Sequence, residues 1–197
     1  MNRKPIERRT FNVQELRVSP GTDGAMPTIR GHAAVFNQLS EDLGGFREQI
    51  APGAFASALS GCDVRALYNH DSNYVLGRNT SGTLRMSEDE TGLAIEIDMP
   101  DTSYARDLAE CMKRGDINQM SFGFRTIKDA WTETAGEFVR TLLDVELFDV
   151  SPVTYPAYPQ TDCAVRSLDA YKAEHQEAPP FNDMQLRKLK LQIDSLD

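Results

Sequence analysis

Apolar and polar residues alternate along much of the first three quarters of this chain, and the alternation is cleanest at 93–99. There Leu93, Ile95, Ile97 and Met99 interleave with Ala94, Glu96 and Asp98. A period of two is the mark of a half-buried strand, and Thr83–Met86 predicts its hairpin partner across the polar turn 87–92. The β-branched and aromatic stretches Thr10–Val18 and Thr28–Phe36 predict two earlier strands, separated by the turn-forming residues 19–24. Val64–Tyr68, Gln119–Arg125 and the long apolar run Arg140–Val153 predict three more, with a hairpin turn near Glu133–Gly136. Helical spacing is rarer. Tyr104, Leu108, Cys111 and Met112 fall on one face of a predicted helix Ser103–Arg114, which Asp101, Thr102 or Ser103 can cap and Gly115 can end. A shorter helix is predicted over Pro52–Leu59, stopping at Gly61 after the loop 40–45. Many short strands, few helices and one core predict a mainly β, α+β fold, an antiparallel barrel decorated by helices.

The pattern changes past Asp162. Leu168–Pro180 is polar and closes on two prolines, which predicts a linker. Asn182 or Asp183 then opens an amphipathic segment in which Leu186, Leu189, Ile193 and Leu196 repeat at heptad spacing for barely two heptads. Such a helix can dock on its own domain or serve as a partner-binding or removable tail. The expected division is a basic N-terminal arm over 1–9, one domain over 10–167, a linker over 168–180 and a helical tail over 181–197.

Charge narrows the function classes. The chain of 197 residues carries 30 acidic and 21 basic side chains, a net −9, and its first nine residues hold four of the basic groups and one acid. The acid excess therefore lies on the folded domain, which would repel phosphate backbones, so no nucleic-acid partner is expected. No apolar run approaches the roughly 20 residues that span a bilayer, and Met1–Arg9 is charged with no apolar segment after it. Neither a membrane span nor a signal peptide is expected. Three cysteines, Cys62, Cys111 and Cys163, form no CxxC pair. Their odd count and wide spacing argue against a disulfide framework and a cysteine-rich zinc site.

Candidate chemistry begins at Gln119-Met120-Ser121-Phe122-Gly123-Phe124-Arg125. Strand parity sends Met120, Phe122 and Phe124 to the core and Ser121, Gly123 and Arg125 to the other face. Ser121 is thus expected on an exposed outer surface, with Gly123 leaving room for a substrate backbone. Of the three histidines, His32 lies inside a predicted strand and reads as structural, and His175 lies in polar sequence. His70 directly follows an apolar strand, where active groups gather. A neutral imidazole is a suitable general base for a serine near neutral pH. A third group would orient it. Asp149 sits among apolar residues and needs a partner, whereas Glu146, on the opposite parity, reads as water-facing. An arginine would satisfy Asp149 as well as His70 would. His70, Asp71 and His32 could be grouped around a metal on paper, but no HExxH-like spacing supports it. P-loop, dinucleotide-binding and GxSxG patterns are absent from the sequence, and no cofactor is expected.

Four stretches in this order resemble the prohead, or capsid maturation, proteases of tailed bacteriophages, whose fold is related to the herpesvirus assemblin serine proteases. They are Gly31–Asn37 with Glu48–Phe55, Tyr68–Asp71 with Gly77-Arg78, Gly115–Phe124, and Leu147–Ala157. The resemblance spans roughly residues 10–165. It implies a barrel of about seven strands ringed by helices, with His70 as the catalytic histidine and Ser121 as the nucleophile. The third member in this family is usually a glutamate just before Val-Ser, where this chain has Asp149, one methylene shorter. Glu146 therefore stays open as a substitute. The implied partners are the major capsid protein and its scaffold segment, or a separate scaffold, together with the protease itself. Self-association is left open. The implied setting is the procapsid inside the infected bacterial host. A non-enzymatic capsid component on the same barrel is the competing reading.

Overall fold

In the computed structural model, residues 5–12, 16–19, 26–155 and 162–175 are described. Their ten strands and three helices make a mixed α+β fold in which strands dominate. Strand pairing groups them into two sheets. The first runs β1 (Glu7–Asn12), β9 (Gln119–Thr134), β10 (Glu137–Val153), β5 (Arg65–Tyr68), β6 (Asp71–Arg78), with β4 (Phe46–Ile50) also pairing to β10. The second runs β2 (Arg17–Ser19), β3 (Thr28–Val35), β8 (Gly92–Asp98), β7 (Leu84–Glu88).

The expected antiparallel barrel is corrected in its pairing, and its closure is not shown. Hydrogen-bonded pairing among the described residues leaves two sheets and no closed ring. The larger sheet is also mixed, because β4 and β5 both run parallel to β10. The predicted strand 10–18 is two strands. β1 pairs antiparallel with β9 in one sheet, and β2 pairs with β3 in the other. Glu7 and Arg9, expected in a basic arm, are buried members of β1.

The core lies between the sheets. Leu93, Ile95 and Ile97 of β8 point into it as their alternation requires, opposite Met120, Phe122 and Phe124 of β9. Phe55 joins the aromatic stack edge-on, with its ring centroid 5.5 Å from that of Phe122. It stands at the N-cap of α1 (Ala56–Gly61), a helix shorter than expected. The turn before α1 is held open by Glu88 of β7, whose carboxylate accepts the N–H groups of Gly53 and Phe55 at 3.1 and 2.8 Å. Helix α2 (Ser103–Arg114) matches its predicted span and buries Ala105, Leu108, Ala109 and Met112. It ends as predicted at Gly115 (φ 84°), with Gly115 N–H donating to Met112 O and Asp116 N–H to Cys111 O, a Schellman pair of bonds.

Two strands escaped the sequence pattern. In β4, Phe46, Glu48 and Ile50 are the buried set, so a carboxylate occupies an inward position. Glu48 belongs to an ionic cluster inside the large sheet, with Glu7, Arg9 and Arg140. Arg140, 1% exposed, binds Glu7 at 2.9 Å, Glu48 at 3.0 Å and Asp129 at 2.7 Å. Arg9 binds Glu7 and Glu48, both at 2.8 Å. Four strands are tied together there by charge rather than by apolar contact, which hides β4 and the start of β1 from a hydrophobicity reading. In β6, four consecutive residues, Ser72 to Val75, are exposed.

Residues 168–175, read from composition as the start of a linker, are the second half of α3 (Asp162–His175). Leu168 is buried against Leu43 and Phe46, and Tyr171 stacks on Trp131 with centroids 5.0 Å apart. The N-terminal residues 1–4, the rest of the predicted linker and the 181–197 tail lie outside the described residues. Among the described residues no helix is long and apolar enough to cross a membrane.

Candidate active site

Ser121, His70 and Asp149 come from three strands or turns of the larger sheet and meet in one chain of hydrogen bonds. His70 Nε2 lies 2.7 Å from Ser121 Oγ, and His70 Nδ1 lies 2.5 Å from Asp149 Oδ1. With Asp149 ionised and accepting, Nδ1 carries the ring proton, and Nε2 is left to accept from the serine hydroxyl. That is the tautomer a general base requires.

His70 owes its position to a turn. Tyr68 pairs with Asp71, so Asn69 and His70 form a two-residue hairpin loop between β5 and β6. Both have left-handed backbones, φ 55° and 58°. This is the type I′ pattern, which matches strand twist but is costly for residues other than glycine and asparagine. Asn69 is bound to the end of β10 on three sides. Its N–H donates to Pro152 O at 3.0 Å, its Nδ2 to Thr154 Oγ1 at 3.1 Å, and its Oδ1 accepts Thr154 N–H at 2.8 Å. The turn is thereby held against the strand that carries Asp149. The sequence marked His70 as a strand end but gave no sign of this clamp.

On β9 the parity expectation holds, since Met120, Phe122 and Phe124 are all fully buried. The expected exposure is not found. Ser121 is 0% exposed rather than displayed, because the face opposite the core is covered by the site itself. Gly123 also has a different role from the one expected. A Cβ there would collide with Asp149 Oδ2, and Asp149 Cγ would stand 3.2 Å away. The space beside Ser121 is filled by the Asp149 carboxylate.

A β-bulge decides which acid arrives. The register passes from Leu147↔Phe124 directly to Asp149↔Gly123, which leaves Phe148 as an extra residue. The extra residue reverses the parity argument. Glu146, opposite Arg125, shares the face of Asp149 instead of opposing it. Its carboxylate nevertheless binds Arg125, whose guanidinium also lies over the Phe148 ring at 5.0 Å. His70 bonds to Asp149 and not to Glu146. The bulge and the bare Gly123 give the shorter aspartate its reach. Ser151, which sequence reading passed over, is fully buried and donates to Asp149 Oδ1 at 2.6 Å. Strand alternation, placing 149 and 151 on one face, was the available signal.

His32 is in the second sheet, where its Nε2 lies 2.8 Å from Asp89 Oδ2. His70, Asp71 and His32 are therefore not brought together. Among the described residues no three His, Cys, Asp or Glu side chains are grouped to hold a metal ion.

The chain is also similar to known proteins. The sequence profile of the caudovirus prohead serine proteases matches residues 12–177. The prohead protease of Enterobacteria phage HK97 is 30% identical over 167 residues, covering 82% of this chain and 70% of that protein. The prohead protease of Escherichia phage T5 is 28% identical over 130 residues, covering 65% of this chain and 57% of that protein. The structure of the bacteriophage T4 capsid assembly protease superposes with a TM-score of 0.52 at 12% identity, over 77% of this chain and 98% of that one, a likeness of fold. With most of its length matched by that profile and by the HK97 protein, this chain belongs to the caudovirus prohead serine protease family and is a protease of phage capsid maturation.

Proposed function

We propose that this chain is a serine endopeptidase with Ser121 as nucleophile, His70 as general base and Asp149 as the group that orients His70. The continuous hydrogen-bond chain from Ser121 Oγ through His70 to Asp149 Oδ1 is the observation that supports it most. As Ser121 Oγ attacks a peptide carbonyl, its proton passes to His70 Nε2, and Asp149 stabilises the imidazolium. The imidazolium then protonates the departing amine, which leaves an acyl-enzyme on Ser121. Water attacks that ester with His70 again as base, and the serine is regenerated.

The substrates in this reading are the scaffold segment of the major capsid protein or a separate scaffold, and the protease itself, inside the procapsid of an infected host. Residues 181–197 act as a removable tail, cut away in the polar stretch that follows α3. The test follows purified full-length chain and Ser121→Ala at neutral pH by intact mass, with a fluorophosphonate as a parallel label. Wild type should shorten and take the label, and Ser121→Ala should do neither, its rate reduced roughly 10⁶-fold. Labelling that survives in Ser121→Ala would remove Ser121 as nucleophile, and a wild-type chain that neither shortens nor takes the label would favour a non-enzymatic head component.

A further inference from the structure

Ser151 lies beside the nucleophile. It is the register partner of Ser121, so the two serines stand side by side on β10 and β9. Their hydroxyls go to different places: that of Ser121 reaches His70 Nε2, and that of Ser151 donates to Asp149 Oδ1. Asp149 Oδ1 thus takes two donors, His70 Nδ1 at 2.5 Å and Ser151 Oγ at 2.6 Å, while Oδ2 lies against Gly123. A carboxylate with one donor can swing about its Cβ–Cγ bond. Two donors on one oxygen, with a backbone wall behind the other, leave it a single orientation.

We propose that Ser151 is a positioning residue for the triad, a fourth member that holds the Asp149 carboxylate in the plane His70 needs. The inference rests on the serine-protease reading above. The shorter aspartate makes the role more demanding. Its carboxylate hangs on one methylene, so a small rotation moves Oδ1 off the imidazole N–H. Ser151 also acts on charge. By donating to Asp149 it shares the negative charge that would otherwise bear on His70 alone. Loss of the hydroxyl leaves more charge against the imidazole, which favours its protonated form and moves the acid limb of activity to higher pH.

Other charged groups near Asp149 are set apart by their partners or register. Arg65 on β5 pairs with Asp149 in the register and binds Asp63 at 3.2 Å. Arg125 and Glu146 bind each other, Arg8 on β1 stands opposite Gly123, and Asp71 follows His70 and accepts Asn73 N–H. None of these is altered by truncating Ser151.

The experiment measures fluorophosphonate labelling rates of the full chain from pH 5 to 9 for wild type, Ser151→Ala, Ser151→Thr and Ser121→Ala. Ser151→Ala should label about tenfold more slowly at its plateau, with the acid limb displaced upward by about half a pH unit. Ser151→Thr, which keeps the hydroxyl, should recover both. Should Ser151→Ala lose its cooperative melt, Ser151→Cys, similar in size but a poor donor, carries the same expectation. A wild-type rate and limb in the Ala chain overturns the role. So does a slower rate with an unmoved limb and no recovery by Thr, which marks Ser151 as a packing residue only. Labelling that survives in Ser121→Ala fails the nucleophile assignment instead, a result distinct from either.

Discussion

Replacing Gly123 by alanine adds one methyl group to a fully paired strand, and two effects of opposite sign compete. Alanine in a strand interior is favoured over glycine by about 0.5–1 kcal/mol, because glycine loses more backbone freedom on folding. Gly123 is not among the positive-φ residues, so the substitution adds no conformational strain of its own. Against this, the new Cβ overlaps Asp149 Oδ2 and stands 3.2 Å from its Cγ. The backbone of Gly123 cannot retreat, because Arg8 pairs with it on one side and Asp149 on the other. The carboxylate must yield. Restoring ordinary contact requires a shift of about 1 Å, and a misplacement of that size in a catalytic group costs about 10²-fold in rate. Overpacking of this kind also costs about 1–3 kcal/mol of stability, so a net loss of up to about 2 kcal/mol is expected. That lowers Tm by about 2–4 °C per kcal/mol in a chain of this size. Fluorophosphonate labelling rate and a thermal melt, taken on the same preparation, check both numbers. A Gly123→Ala chain that labels within about threefold of wild type, with an equal or higher Tm, would refute the claim that Asp149 fills this space and orients His70 from it.

Further predictions concern the turn, the two acids of β10 and the buried ion cluster. His70→Gly and His70→Ala should both be inactive, but the glycine chain should be more stable by about 0.5–1 kcal/mol. A left-handed backbone costs alanine about 1–2 kcal/mol, and glycine's greater flexibility when unfolded offsets part of that; an Ala chain melting at or above the Gly chain would contradict the turn strain. Glu146→Gln should change the labelling rate less than about threefold, whereas Asp149→Asn should lower it about 10⁴-fold; the reverse order would reassign the third member. Arg140→Met should cost about 3–5 kcal/mol in a denaturant melt, because Glu7 and Glu48 are left buried without that partner; a loss under about 1 kcal/mol would show that the cluster carries little of the fold's stability. Burial alone would push the Glu7 carboxyl up, but the Arg9 and Arg140 guanidiniums outweigh it and hold the group below its ordinary value. Its contribution is therefore complete above the unfolded value of about 4.3 and is lost as pH falls through the lower folded value. Glu7→Gln should flatten the fall of Tm in that acid range, and an unchanged slope would count against this assignment.

Much of the framework is legible in the local residue pattern. Period-two alternation placed β8 and the inward face of β9, and helical spacing with Gly115 placed α2 to the residue. These signals are local: side-chain direction follows from strand or helix geometry once the apolar set is known. Family likeness then pointed to Ser121, His70 and Asp149, residues 51 and 79 positions apart along the paired bonds. Tertiary structure alone decided how they meet. The Phe148 bulge reset the parity of Glu146 and Asp149, and bulges depend on the partner strand rather than on the residues that form them. The buried Glu7, Arg9, Glu48 and Arg140 placed charges where the pattern calls for apolar groups, so β4 and the start of β1 could not be read from hydropathy. Burial of Ser121 followed from what lies over its face, and one strand's sequence carries no record of that. The same holds for Gly123: its sequence says only that a side chain is missing, and the fold supplies Asp149 to fill the gap.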